Sequence, residues 1–194
     1  MTTTDVVIVG AGFGGVGMAI TLRERGISNY VVLEKGADLG GTWRDNTYPG
    51  AACDVPSQLY SFSFASNPDW SMSFSPQPEI QAYIQRVARR SGTLDRFEFD
   101  TAVLSAQWDD AAAHWVVETT RGTYLADTVI SAAGGLSEPK LPEIEGIESS
   151  PRVIEEVGKE FGRTFGRTYG FFEEYRMDDA ERPRLEGYGG DGDR

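Results

Sequence analysis

The run Asp5-Val-Val-Ile-Val-Gly-Ala-Gly-Phe-Gly-Gly15 joins an apolar stretch to four glycines, and the next apolar run closes on Glu34. Its pattern predicts a buried strand over residues 5–10, a helix over 15–25 and a second strand over 30–34. Strand, glycine turn and helix in that order form a grip for a dinucleotide. Gly10 allows the tight turn, and Gly12 lets the backbone approach a pyrophosphate at the helix N-terminus. Gly14 or Gly15 lets the helix pack near the strand. Glu34 then accepts hydrogen bonds from a ribose diol. An acid there repels a ribose 2′-phosphate, which favours FAD or NAD over NADP. The alternative is a glycine-rich turn in some other α/β protein.

The 194 residues suffice for one full core, or for a large domain with an appendage. The net charge of −12, with no basic cluster beyond residues 86–90, argues against nucleic acid or an anionic membrane as partner. A first strand that begins at once, with no long apolar stretch, is expected of a cytoplasmic protein without signal peptide or span. Cys53 is the only cysteine, so neither an intrachain disulfide nor a cysteine-built metal site is expected. The single histidine, His114, reads as a surface or packing residue.

Residues 35–78 form a long irregular stretch rich in Gly, Pro, Ser and Asn. Loops of this length are functional or disordered. Trp43, Tyr48, Tyr60, Phe62, Phe64, Trp70 and Phe74 argue for packing, because disordered tracts are poor in aromatics. Ile80, Tyr83, Ile84, Val87 and Ala88 then recur at helical spacing over 77–90, as in a core helix. Strands follow over 97–104, 106–108 and 114–119, with a short piece at 124–125, as a small antiparallel layer crossing one face of the parallel sheet. Residues 127–135 read as a buried strand ending in Ala132-Ala-Gly-Gly135, small residues that permit a close backbone approach or a simple turn. The fold class expected is α/β: a Rossmann-like parallel sheet with helices, the small antiparallel layer, and a helical or irregular tail ending in disorder.

The string Gly40-Gly-Thr-Trp-Arg-Asp-Asn-Thr-Tyr-Pro-Gly-Ala-Ala-Cys-Asp-Val-Pro-Ser57, followed by Tyr60-Ser-Phe-Ser-Phe64, resembles the N-terminal flavin domain of the Baeyer–Villiger and flavin-containing monooxygenases. The resemblance covers about residues 4–148 and includes Ala132–Gly135 and an exit over 139–146. It implies FAD as cofactor, NADPH as reductant and a ketone or aldehyde as substrate. It implies Gly10, Gly12, Gly14 and Gly15 on the pyrophosphate and Glu34 on the adenosine ribose. Thr42, Trp43, Arg44 and Asp45 would line the flavin side, Tyr60 would lie along the isoalloxazine, and the Val103 main chain would meet the adenine. Trp43 and Tyr60 read equally well as core material. Asp54 matches the acid that positions a catalytic arginine in the family. A carboxylate folded over an apolar cofactor is expected to be partly desolvated and to need a partner. Its other reading is a cap on the turn at residues 55–57.

A full member of that family continues into a second glycine fingerprint for NADPH, the catalytic arginine and a return that completes the FAD domain. Glycines 158, 162, 166 and 170 do not follow a strand and cannot form that fingerprint. Residues 153–180 instead resemble a stretch of the α subunit of 2-oxoacid:ferredoxin oxidoreductases. The expected division is therefore an incomplete FAD-binding domain over 1–148 and a divergent tail over 149–194, a truncated or chimeric form that binds flavin without full turnover. Losing a preorganised electrostatic partner costs on the order of a hundredfold in rate. The competing expectations are a non-catalytic module for FAD or NAD, and a tail that serves as an interaction segment. A sheet edge left bare by the missing return invites self-association.

Overall fold

A computed structural model describes residues 1–136. The expected exit over 139–146 and the tail over 149–194 lie outside the described residues. The opening unit is β1 (Thr2–Val9), α1 (Phe13–Glu24) and β2 (Tyr30–Leu33). Strand alternation sends Val6, Ile8, Tyr30 and Val32 to one face of the sheet and Val7, Val9, Val31 and Leu33 to the other. α1 covers the first face with Val16, Ala19 and Ile20.

The segment after β2 holds one helical turn, α2 (Thr42–Asp45), and a 3-10 turn over Ser57–Leu59. Trp43, Tyr60, Phe62 and Trp70 pack against the core as expected, whereas Tyr48 is exposed and Phe64 is half-exposed beside Phe62. Phe62 lies 5.0 Å from Phe13 between ring centroids, and Trp70 lies 5.2 Å from Tyr83. α3 (Gln77–Ser91) follows, carrying Glu79 in its first turn and Arg89 and Arg90 in its last, which suits the helix dipole. It buries Ile80, Tyr83, Ile84, Val87 and Ala88 on the α1 side, the face read from the spacing. Tyr83 ties the loop down: its hydroxyl accepts from the Phe62 N–H at 2.8 Å and donates to the Ala65 carbonyl at 2.6 Å.

The remaining strands among the described residues are β3 (Phe97–Glu98), β4 (Val103–Asp109), β5 (His114–Thr119) and β6 (Gly122–Ser131). One six-stranded sheet results, in the order β3-β2-β1-β6-β5-β4. β1 pairs in parallel with β2 and β6, and β2 in parallel with β3; β4, β5 and β6 form an antiparallel meander. The meander belongs to the sheet through β6 and also folds back over one of its faces. Val117 and Tyr124 share a buried cluster with Val7, Val31 and Leu33, and the Tyr124 hydroxyl donates to Glu98 on β3.

Two strand expectations change. The stretch 97–104 is not continuous, because β3 leaves the sheet after Glu98 through Asp100, whose φ is +52°, and β4 begins at Val103 and runs through Asp109, taking in the strand expected over 106–108. The short piece at 124–125 and the buried strand expected over 127–135 are one strand that ends at Ser131 and leaves Asp127, Thr128 and Ser131 exposed, because β6 serves β5 with its first half and β1 along most of its length. Among the described residues no helix is long and apolar enough to cross a membrane.

Candidate functional site

The parallel strands β1, β2 and β6 all end at one rim, where ligands of open α/β sheets bind. There the chain forms a cavity of about 510 Å³. Gly10 makes the turn out of β1 with φ +103°, and its N–H donates to the Leu33 carbonyl at 2.8 Å. A Cβ on Gly10 would stand 2.6 Å from the Ala132 carbonyl oxygen, so only glycine lets β1 and β6 end so close together. α1 starts from Gly12, with no side-chain cap and no acid in its first turn. Its first N–H groups therefore face the cavity with their partial positive charge uncompensated, the arrangement that receives a phosphate.

The structure decides between the two candidate packing glycines. A Cβ on Gly15 would lie 1.8 Å from the Gly10 carbonyl oxygen, whereas one on Gly14 would meet only the Ala132 Cβ at 3.4 Å. Gly15 is thus the residue that lets α1 touch the turn, and Gly14 lines the cavity.

Glu34 closes the second strand's end of the cavity and is 4 % exposed. Its Oε2 accepts the Ala11 N–H at 2.7 Å, and its Oε1 accepts the Gly36 N–H at 2.7 Å and an Arg44 Nη1 hydrogen at 2.8 Å. These charge-assisted bonds hold the carboxylate in one orientation. At another wall Trp43 donates its indole N–H to the Tyr60 hydroxyl at 3.0 Å, and Phe13 stands edge-on to the Tyr60 ring, 5.0 Å between centroids. Burial pushes the Tyr60 phenol above its ordinary range, against the opposing pull of the Trp43 hydrogen bond, so the hydroxyl is neutral.

Gly10, Gly12, Gly14, Glu34, Thr42, Trp43, Arg44, Asp45, Tyr60 and Val103 all line this one cavity. Two of the expected site residues, Gly15 and Asp54, lie off this cavity, and Arg44 is engaged at its acid end. Gly15 packs behind the cavity wall because its α-carbon abuts the Gly10 carbonyl. Arg44, expected on the flavin side, has its guanidinium on Glu34, drawn there by the buried carboxylate. Asp54, expected to be desolvated, is exposed and lies outside the cavity, because Cys53 rather than Asp54 turns into the core.

Sequence reasoning assigned no role to Phe13, Thr101 and Ala102, all of which line the cavity, nor to the contact of Gly41 with Gly12. A Cβ on Gly41 would come within 3.1 Å of the Gly12 α-carbon. The second glycine pair was the signal for that contact. The position of Thr101 follows from its N–H donating to the Glu34 carbonyl at 2.8 Å, a pairing with no local signature.

Comparison with known proteins bears out the fold class. The pyridine nucleotide-disulphide oxidoreductase family profile matches residues 7–168. A Baeyer–Villiger monooxygenase of Streptomyces coelicolor is 52% identical over 146 residues, 75% of this chain and 28% of that protein. One from Pseudomonas aeruginosa is 43% identical over 145 residues, 74% of this chain and 28% of its own length. Among solved structures, an oxidized steroid monooxygenase bound to NADP superposes with a TM-score of 0.69 at 39% identity, covering 76% of this chain and 29% of that one. The chain spans under a third of the length of these relatives, and the tail's resemblance to 2-oxoacid:ferredoxin oxidoreductases draws no support from them. The chain belongs to the pyridine nucleotide-disulphide oxidoreductase family, in the flavin-domain part that the Baeyer–Villiger monooxygenases share.

Proposed function

We propose that residues 1–148 supply the FAD-binding part of a flavoprotein monooxygenase of Baeyer–Villiger type, with the residues beyond as a separate tail. The observation that carries the reading is the convergence on one cavity of an uncapped helix start, a buried acid and the Trp43–Tyr60 pair. A cradle that any Cβ on Gly10 would close fits a backbone-bound pyrophosphate. In this reading the first N–H groups of α1 receive the pyrophosphate, Glu34 accepts a ribose hydroxyl on its less occupied Oε2, and Trp43 and Tyr60 wall the cavity towards the flavin. Val103 offers its main chain to the adenine. When bound, FAD supplies electron transfer from NADPH to oxygen. The oxygenation of a ketone or aldehyde belongs to the whole proteins that carry this part.

A second reading, a nucleotide-binding module without turnover, is favoured by the exposure of Asp54 outside the cavity. The visible absorption spectrum of the freshly purified protein, with and without added FAD, tests the first reading. A protein-bound flavin band is expected. A colourless protein that still binds NAD would replace the first reading by the second.

A further inference from the structure

Arg44 has four of its five guanidinium hydrogens engaged at the acid end of the cavity. Its Nη1 donates to Glu34 Oε1 at 2.8 Å and to the Asp38 carbonyl at 2.6 Å. Its Nε and Nη2 donate to the two Asp45 carboxylate oxygens at 2.7 and 3.0 Å. A guanidinium carries five N–H donors in a rigid fork, so this arrangement leaves one, and the plane cannot turn towards the flavin end without breaking the set. The group also has a prepared berth. A Cβ at Gly36 would stand 2.4 Å from both Cζ and Nη1, so the absence of a side chain there admits the arginine. Burial opposes the Arg44 charge, but the bonds to Asp45 and Glu34 outweigh it and hold the cation firmly protonated.

From this arrangement we infer that Arg44, berthed over Gly36 and braced by Asp45, is a positioning residue for Glu34, which it holds oriented so that Oε2 can accept a ribose hydroxyl. The inference rests on the nucleotide reading above and assigns Arg44 to the sugar rather than to the flavin. The physical need is plain. A carboxylate buried as deeply as Glu34 keeps one orientation only while its oxygens are matched by donors, and the two backbone donors alone leave Oε1 without a cationic partner.

The test uses the full chain and two probes that differ by one ribose hydroxyl, ADP and 2′-deoxyadenosine 5′-diphosphate, titrated by calorimetry. The wild type is expected to prefer ADP. In Arg44→Met that preference falls by about tenfold, the size of one charge-assisted hydrogen bond. Gly36→Ala, which expels the guanidinium while keeping its charge in the chain, loses the preference to the same degree. Arg44→Lys restores part of it, because an ammonium can reach Glu34 but cannot also span Asp45. At saturating FAD the visible spectrum of each variant is unchanged, as befits a residue that does not touch the ring.

An ADP preference that survives in both Arg44→Met and Gly36→Ala overturns the inference. So does a shifted flavin spectrum in Arg44→Met at saturation. If Arg44→Met fails to fold, Arg44→Lys decides: a preference equal to the wild type refutes the positioning role. A wild-type protein that binds neither probe refutes the nucleotide reading instead, so the two failures are distinguishable.

Discussion

The contrast between Gly14→Ala and Gly15→Ala isolates what the glycine turn does for the fold from what it does for the ligand. The two positions are adjacent in α1 and gain the same helix propensity from alanine, about 0.5–1 kcal/mol. Their surroundings differ. The new methyl at 14 meets the Ala132 Cβ at 3.4 Å, an ordinary contact, whereas at 15 it would lie 1.8 Å from the Gly10 carbonyl oxygen and 3.6 Å from Val32 Cγ1. The Gly10 carbonyl is backbone and cannot swing aside, so the helix must move by more than an ångström and open its contact with β2. Overpacking costs about 1–3 kcal/mol where side chains can adjust, and against rigid backbone we expect about 3 kcal/mol net. For a chain of this size that lowers Tm by about 6–12 °C, read by far-ultraviolet circular dichroism. Gly14→Ala should melt about 1–4 °C above the wild type, because nothing offsets its propensity gain. A Gly15→Ala protein as stable as Gly14→Ala would refute the close approach of α1 to the turn.

Burial, joined by the hydrogen bond and charge of Glu98, pushes the Tyr124 phenol up to about 12. Its contribution to stability is complete below the unfolded tyrosine pKa of about 10 and is lost as pH rises through the folded value. Denaturant melts between pH 10 and 12 should therefore fall more steeply for the wild type than for Tyr124→Phe, and equal slopes would exclude the Tyr124–Glu98 contact. Burial also pushes the Cys53 thiol up, so Ellman's reagent should label it slowly in the native protein and rapidly in denaturant; equal rates would mean that Cys53 is not in the core. Asp54→Asn should leave flavin affinity within about twofold, since a substitution at an exposed position away from the ligand shifts free energy by about 0.5 kcal/mol or less. A tenfold loss in fluorescence titration would place Asp54 at the cofactor after all.

Much of the opening unit was legible because its information is local. Alternating valines declare two buried faces, glycines mark the turn, and the spacing of Ile80, Tyr83, Ile84 and Val87 declares one buried helix face. Ten of the twelve site residues named from the sequence reach the same cavity, because strand ends and the loop over them converge wherever parallel strands share a rim. The failures have a common origin. Phe97 to Leu104 reads as one strand because its residues favour β structure, yet Asp100 turns the chain out of the sheet to reach the opposite side. The break near Asp127 reads as a strand end, yet an exposed polar residue is tolerated in the middle of β6.

Residue order alone determined the glycine turn, the acid at the end of the second strand and the amphipathic helix, because periodicity and backbone freedom are properties of neighbours along the chain. Only the tertiary structure decided that Gly15 rather than Gly14 is the packing contact, that Arg44 faces Glu34, and that Asp54 points to solvent. Those outcomes depend on which surfaces meet across dozens of residues, where a buried charge seeks its partner and a carbonyl excludes a methyl.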